Sequence, residues 1–292
     1  MTLFPTLRTS VLLPVLLIFI SMLSIQSGAA LAKSLFPLVG VSGVTALRLG
    51  FGALILAVIF KPWRMHFGSN RLPLLVYGIT LGGMNYLFYL SLRTVPLGIV
   101  VALEFTGPLT VAIFSSRRLF DFLWVILAIA GLWLLLPLGQ NLGSISPRGA
   151  AYAIGAGACW AFYILFGQKA GNNHGAGSVA IGALISALIF CPLGIFFSDA
   201  NLFSFSVLPM GIGVAILSTA LPYSLEMIAL TRLPARTFST LMSMEPAIAA
   251  LSGILFLGEH LILTQWIALL FIIIASLGTT LTIKKPNRAR ES

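Results

Sequence analysis

The chain has 292 residues, 59% of them hydrophobic and only 8% charged, with a net charge of +10. Water-soluble domains carry about 25% charged residues, so 17 basic and 7 acidic side chains cannot clothe a soluble surface of this size; the composition predicts an all-α integral membrane protein. The basic residues fall in short clusters between apolar runs rather than in one stripe, which excludes a nucleic-acid-binding reading and fits membrane topology.

A helix needs about 20 apolar residues to cross the hydrocarbon core. By that measure ten transmembrane helices are predicted, near 11–32, 43–60, 73–91, 97–115, 121–138, 149–168, 177–197, 207–229, 236–256 and 264–283. The connections are short and carry the charges. With the N-terminus in the cytoplasm, Arg8, Lys61, Arg64, Arg71, Arg117, Arg118, Lys169, Arg232, Arg236, Lys284, Lys285, Arg288 and Arg290 all fall inside. That asymmetry predicts cytoplasmic termini and an even number of spans. Arg8, the apolar run Val11–Leu23 and the small residues Ala30 and Ala32 also fit a cleavable signal peptide. The echo of GAALA (28–32) in GACWA (157–161) instead favours a retained first span.

The organising feature is a repeat. TVPLGIVVALEFTGPLTVAIFSSRRLFD (94–121) returns as RLPARTFSTLMSMEPAIAALSGILFLGE (232–259), with Pro96 over Pro234, Pro108 over Pro246 and Asp121 over Glu259. An odd number of spans per half forces the second half in from the opposite face. The expectation is a 5+5 inverted repeat, residues 1–140 and 147–284, followed by a cytoplasmic basic tail at 285–292, with a solute site where the halves meet near the midplane.

Ionisable residues inside spans mark function unless they pair or reach the interface. Glu104 lies in the middle of span four and Glu245 about halfway along span nine; both are candidates for proton coupling or for binding an ammonium group. Glu226, in span eight, is a third, although it could merely neutralise Arg232 or Arg236. Arg48 in span two and Lys33 in span one are candidate partners for a carboxylate, or snorkelling residues. Pro108, Pro222 and Pro246 interrupt spans four, eight and nine. Each removes a donor and frees a carbonyl one turn earlier, which in lipid must be met by protein or water. Gln26, Asn85, Tyr86, Trp160, Tyr163 and Tyr223 supply polar and aromatic groups for a substrate surface. Tyr223 and Glu226, and Trp160 and Tyr163, each share a helix face at i, i+3.

No paired His and Cys suggest a metal, no phosphate-binding or dinucleotide fingerprint is present, and no catalytic pair appears; no cofactor and no enzyme activity are expected. Cys159 and Cys191 read as small apolar residues.

The runs GVTALRLG, LGGMNYLFYLS, VALEFTGPL, GAGACWA, AILSTALPYSLEMIALTRLPART and LMSMEPA, with the ten spans and the repeat, resemble the EamA family of the drug/metabolite transporter superfamily over nearly the whole chain. The resemblance implies proton-driven efflux of threonine, homoserine and related amino acids or analogues through a bacterial inner membrane. It also implies a central cavity lined by spans one, three, four, six, eight and nine, on which Gln26, Asn85, Tyr86, Glu104, Trp160, Tyr163, Tyr223 and Glu245 lie. The partners expected are an amino acid, protons and the bilayer, and the chain is expected as a monomer or weak homodimer. A broad drug or metabolite exporter, and a non-transporting membrane receptor, are the competing readings.

Overall fold

A computed structural model describes residues 12–64, 71–91, 93–95, 100, 103–115, 119–135, 146–198, 202, 204–242, 244–245, 248 and 263–281. Among these, all regular structure is helical. In chain order the main helices are α1 (Leu12–Phe60), α2 (Leu72–Ser91), α3 (Thr106–Ser115), α4 (Leu119–Leu135), α5 (Pro147–His174), α6 (Ser178–Phe196), α7 (Leu208–Leu230), α8 (Ala235–Met242) and α9 (Leu263–Leu281). Six segments are long and apolar enough to cross a bilayer: Leu12–Ala29, Ser34–Phe60, α2, α5, α6 and α7. The described apolar stretches Thr106–Ser115, Phe122–Leu134 and Trp266–Ala275 are shorter.

The sequence places a connection between residues 32 and 43. In the structure helix continues through it, and the chain breaks at one residue, Gly40 (φ 66°, ψ 170°). A side chain there would meet its own backbone, so glycine is what allows so abrupt a break. Side-chain contacts show that it reverses the chain. Before the break, Leu31 packs at Gly213, Ser24 bonds Leu217 and Ser21 bonds Glu226, so the first arm of α1 runs antiparallel to α7. After it, Leu47 packs at Gly211 and Gly52 at Thr219, so the second arm runs with α7.

The same reasoning orients the neighbours. Ser91 donates to the Gly149 carbonyl while Tyr77 packs on Gly167, which makes α2 antiparallel to α5. Tyr77 also packs on Gly182 and Phe190 on Gly82, which makes α2 parallel to α6. Ala46 meets Gly194 and Gly50 meets Cys191, so α6 opposes the second arm of α1. Tyr163 reaches Glu226 and Gly171 meets Thr231, so α5 runs with α7. The first arm of α1, its second arm and α2 therefore run opposite to α5, α6 and α7 respectively. These directions gather Lys61, Arg64, Arg71, Lys169, Arg232 and Arg236 at one end of the bundle, and Arg93 and Arg148 at the other.

Leu54, Val58, Phe114, Ile126, Leu188 and Phe196 point outward and are exposed, as expected where lipid replaces water. Ile18, Leu56, Tyr77, Leu81, Phe105, Tyr163, Ile164 and Met227 form the packed centre. The second copy of the proline repeat is described only in part. Pro246, Arg117, Arg118 and the basic tail lie outside the described residues, as does the Lys33 side chain.

Candidate functional site

The site begins with a proline. Pro222 has no N–H, so the carbonyls of Ser218 and Leu217, four and five residues earlier, lose the donor they would have in an α or a π ladder. The helix answers with a π turn over Ile216–Ala220, closed by the bond from the Leu221 N–H to the Ile216 carbonyl. Both orphaned carbonyls are met by side chains from α1. Ser24 donates to the Leu217 carbonyl at 2.6 Å, and Arg48 Nη2 donates to the Ser218 carbonyl at 2.7 Å. In hydrocarbon each such carbonyl left bare would cost several kcal/mol.

Arg48 is the hub. Its Nε donates to Thr219 Oγ1 at 3.0 Å, its Nη2 also to the Tyr223 hydroxyl at 3.0 Å, and its Nη1 to the Tyr89 hydroxyl at 3.4 Å. Asn85 Nδ2 donates to the same Tyr223 hydroxyl at 3.0 Å and to the Leu81 carbonyl. Arg48 is buried, about 12 Å of helix below the break at Gly40. It does not snorkel, because the π turn supplies acceptors at that depth.

Glu226 lies one turn beyond Tyr223 and is buried. Ser21 donates to its Oε1 at 2.7 Å and Tyr163 to its Oε2 at 2.9 Å. The sequence left open whether Glu226 neutralises Arg232 or Arg236; in the structure both its oxygens are taken by hydroxyls from α1 and α5, and Arg232 is exposed. Tyr77 stacks on Tyr163 with ring centroids 5.2 Å apart, and its buried hydroxyl has no hydrogen-bond partner among the described residues.

Glu104 is buried just ahead of α3 and Glu245 is half-buried just beyond α8. Neither carboxylate takes part in a hydrogen bond among the described residues. Glu104 lies within electrostatic reach of Glu245 and Arg48, and Glu245 within reach of Glu226 and Arg48. Pro108 frees the Glu104 carbonyl, which lies against Gly157 of α5 so closely that a Cβ there would sit 2.5 Å from it. The reciprocal contact is as close: a Cβ on Gly107 would overlap the Gly157 carbonyl. This backbone-to-backbone seat holds Glu104 against α5. Trp160 and Phe105 meet edge to face beside it, centroids 5.7 Å apart.

Of the residues singled out from sequence, Arg48, Asn85 and Tyr223 share one hydrogen-bonded set and Tyr163 and Glu226 a second, and the two meet where the Tyr163 and Tyr223 rings lie 6.1 Å apart. Tyr86 turns away from it and packs on Phe190 at 5.7 Å. Gln26 is half-buried, and no hydrogen bond among the described residues uses it. Sequence reasoning missed Ser21, Ser24, Ser218 and Thr219, which look like ordinary small residues. The signal for Ser218 was its place four residues before Pro222. Among the described residues no group of His, Cys, Asp or Glu could hold a metal.

Comparisons with known proteins agree with this architecture. Residues 147–281 match the EamA-like transporter family. The chain is 64% identical over 285 residues to the threonine/homoserine exporter RhtA of Escherichia coli, covering 97% of each chain. It is 63% identical over 287 residues to the exporter of the same name from Salmonella typhimurium, covering 98% of this chain and 97% of that one. A transporter named YwfM from Bacillus subtilis is 27% identical over 261 residues, 85% of this chain and 86% of that one. One crystal structure superposes with a TM-score of 0.76 at 20% identity, covering 92% of this chain and 96% of that one, a likeness of fold.

Proposed function

The chain belongs to the EamA-like transporter family, and on that premise we propose that it exports threonine, homoserine and related amino acids from the cytoplasm by proton antiport. We place it in the bacterial inner membrane as ten helices in a 5+5 inverted repeat, with the end carrying Lys61, Arg71, Lys169 and Arg232 in the cytoplasm. The opposed directions of α1, α2, α5, α6 and α7 and the positive-inside asymmetry support that arrangement.

One observation carries the mechanism. Arg48 is a buried cation whose hydrogen-bond partners among the described residues are all neutral, and Glu104 is a buried carboxyl group with no hydrogen bond among them. A buried guanidinium and a buried carboxyl that are not joined to each other suit a zwitterion, whose carboxylate goes to Arg48 and whose ammonium goes to the ionised form of Glu104 or Glu245. An ammonium brought within about 4 Å of a carboxylate gains about 4 kcal/mol at an effective dielectric of 20. A proton on the same carboxylate removes that gain, so proton and substrate compete for one group, and alternating access turns the competition into exchange. Asn85 and Tyr223 sit beside Arg48, where a substrate hydroxyl finds both donors and acceptors.

Glu104→Gln and Glu245→Gln are expected to abolish the dependence of homoserine flux on an imposed pH gradient while leaving the protein in the membrane. Wild-type gradient dependence in both variants would refute the assignment.

A further inference from the structure

A shallow cleft opens at the end of the bundle that carries Arg93, between the second arm of α1 and α2. Its walls include Ser42, Thr45, Tyr86, Tyr89, Arg93 and Gly194. Arg93 Nη2 donates to Ser42 Oγ at 2.6 Å and is otherwise exposed. The two helical faces that form the cleft lead inward to the hub. Residues 41, 45 and 48 share one face of α1 at i, i+4, i+7, so the cleft wall at Thr45 continues to Arg48. Tyr86 and Tyr89 share a face of α2, which continues to Arg93. Tyr89 is the residue common to both settings: it lines the cleft, and its hydroxyl meets Arg48.

The hydrogen bonds of Arg48 are unequal. A guanidinium has five N–H donors. Those on Nε and Nη2 are taken at 2.7–3.0 Å by Thr219, Ser218 and Tyr223, partners fixed by the π turn. Among the described residues, the two on Nη1 have only the Tyr89 hydroxyl, at 3.4 Å. That is the longest contact of the four, and it lies toward the cleft. The part of Arg48 free to receive an anion is therefore the part that Tyr89 covers.

We propose that this cleft is a second carboxylate station, in which Arg93, positioned by Ser42, receives the carboxylate of the departing amino acid after Tyr89 gives way at Arg48 Nη1. This rests on the amino-acid export reading above. The two guanidinium-bearing levels are separated by six residues of α1, roughly 9 Å, a short transfer for a small zwitterion. None of the described residues on the cleft wall is a carboxylate. The station is distinct from the central site because its cation is solvent-facing and bonded to one hydroxyl, whereas Arg48 is buried and fixed by four partners.

The test uses the full chain in membrane vesicles of both orientations, measuring homoserine KM from each face. Arg93→Gln is expected to raise KM about fivefold or more from the face on which Arg93 opens and to leave KM from the opposite face within twofold. Arg93→Lys, which keeps the charge, is expected to recover at least half of the loss. Tyr89→Phe, which uncovers Nη1, is expected to lower KM from the Arg93 face. An unchanged KM in Arg93→Gln, an equal change from both faces, or a raised KM in Tyr89→Phe would overturn the station. Wild-type vesicles that carry no homoserine would instead overturn the export reading, and the station with it.

Discussion

The contact between Gly157 and the stretch around Glu104 gives the sharpest mutational test. A Cβ built on Gly157 sits 2.5 Å from the Glu104 carbonyl oxygen and 3.2 Å from its carbon. Ordinary van der Waals contact begins near 3.4 Å, so Gly157→Ala must push the two backbones apart by most of an ångström. Neither side can yield by a rotamer change, because the obstacle is main chain. Overpacking of this kind costs about 1–3 kcal/mol, which in a protein of this size is several degrees of Tm at about 2–4 °C per kcal/mol. The displacement falls on Glu104 itself, where about 1 Å of misplacement is worth up to 100-fold in rate. Gly155→Ala is the control, two residues away on the same helix. Its Cβ would meet only the Leu87 Cδ1 atom at 3.2 Å, the far end of a flexible side chain. Thermal unfolding in detergent and homoserine flux in proteoliposomes should both fall in Gly157→Ala and stay near wild type in Gly155→Ala. Equal behaviour of the two variants would refute the claim that the Gly107–Gly157 seat positions Glu104.

Ser24→Ala removes the donor to the Leu217 carbonyl and leaves a buried acceptor unpaired, at a cost of about 1–3 kcal/mol; a drop of a few degrees in Tm checks it, and no change would mean that the π turn does not need its side-chain donors. Arg48→Lys keeps the charge but replaces a planar fork with a point donor, so Thr219, Ser218 and Tyr223 cannot all be served; homoserine KM should rise at least tenfold and Tm should fall. Tyr163→Phe strips one of the two hydroxyls that hold Glu226 and should lower stability by about 1–3 kcal/mol, with little effect on the Arg48-dependent KM.

Much of this arrangement is legible in the sequence. The apolar runs place the helices, and the requirement that a proline-freed carbonyl find a partner pointed to α7. The two residues that answer it, Ser24 and Arg48, come from the other half of the chain, nearly 200 and 170 positions away, and no local pattern announces them. Whether Arg48 snorkels or stays inside is not legible in the sequence, because its depth depends on where the chain turns. The turn is the single residue Gly40 rather than a ten-residue connection, and the acceptors that keep the guanidinium inside belong to a π turn that helical periodicity does not foresee. Asn85 and Tyr86 look equivalent in sequence, yet adjacent helical positions point about 100° apart, so only one can face Tyr223. Glu104 was legible as a buried carboxylate, but its glycine seat on α5 was not, since Gly157 looked like one more small residue in a packing face.

The central claim is that buried carboxylates couple amino-acid export to protons. The direct measurement is homoserine and threonine flux in liposomes reconstituted with the full chain under an imposed pH gradient, with alkalinisation or acidification of the lumen followed at the same time. Flux should follow the gradient, be accompanied by counter-movement of protons, and lose both features in Glu104→Gln and Glu245→Gln. Flux of the same size with and without the gradient, and no proton movement, would contradict it.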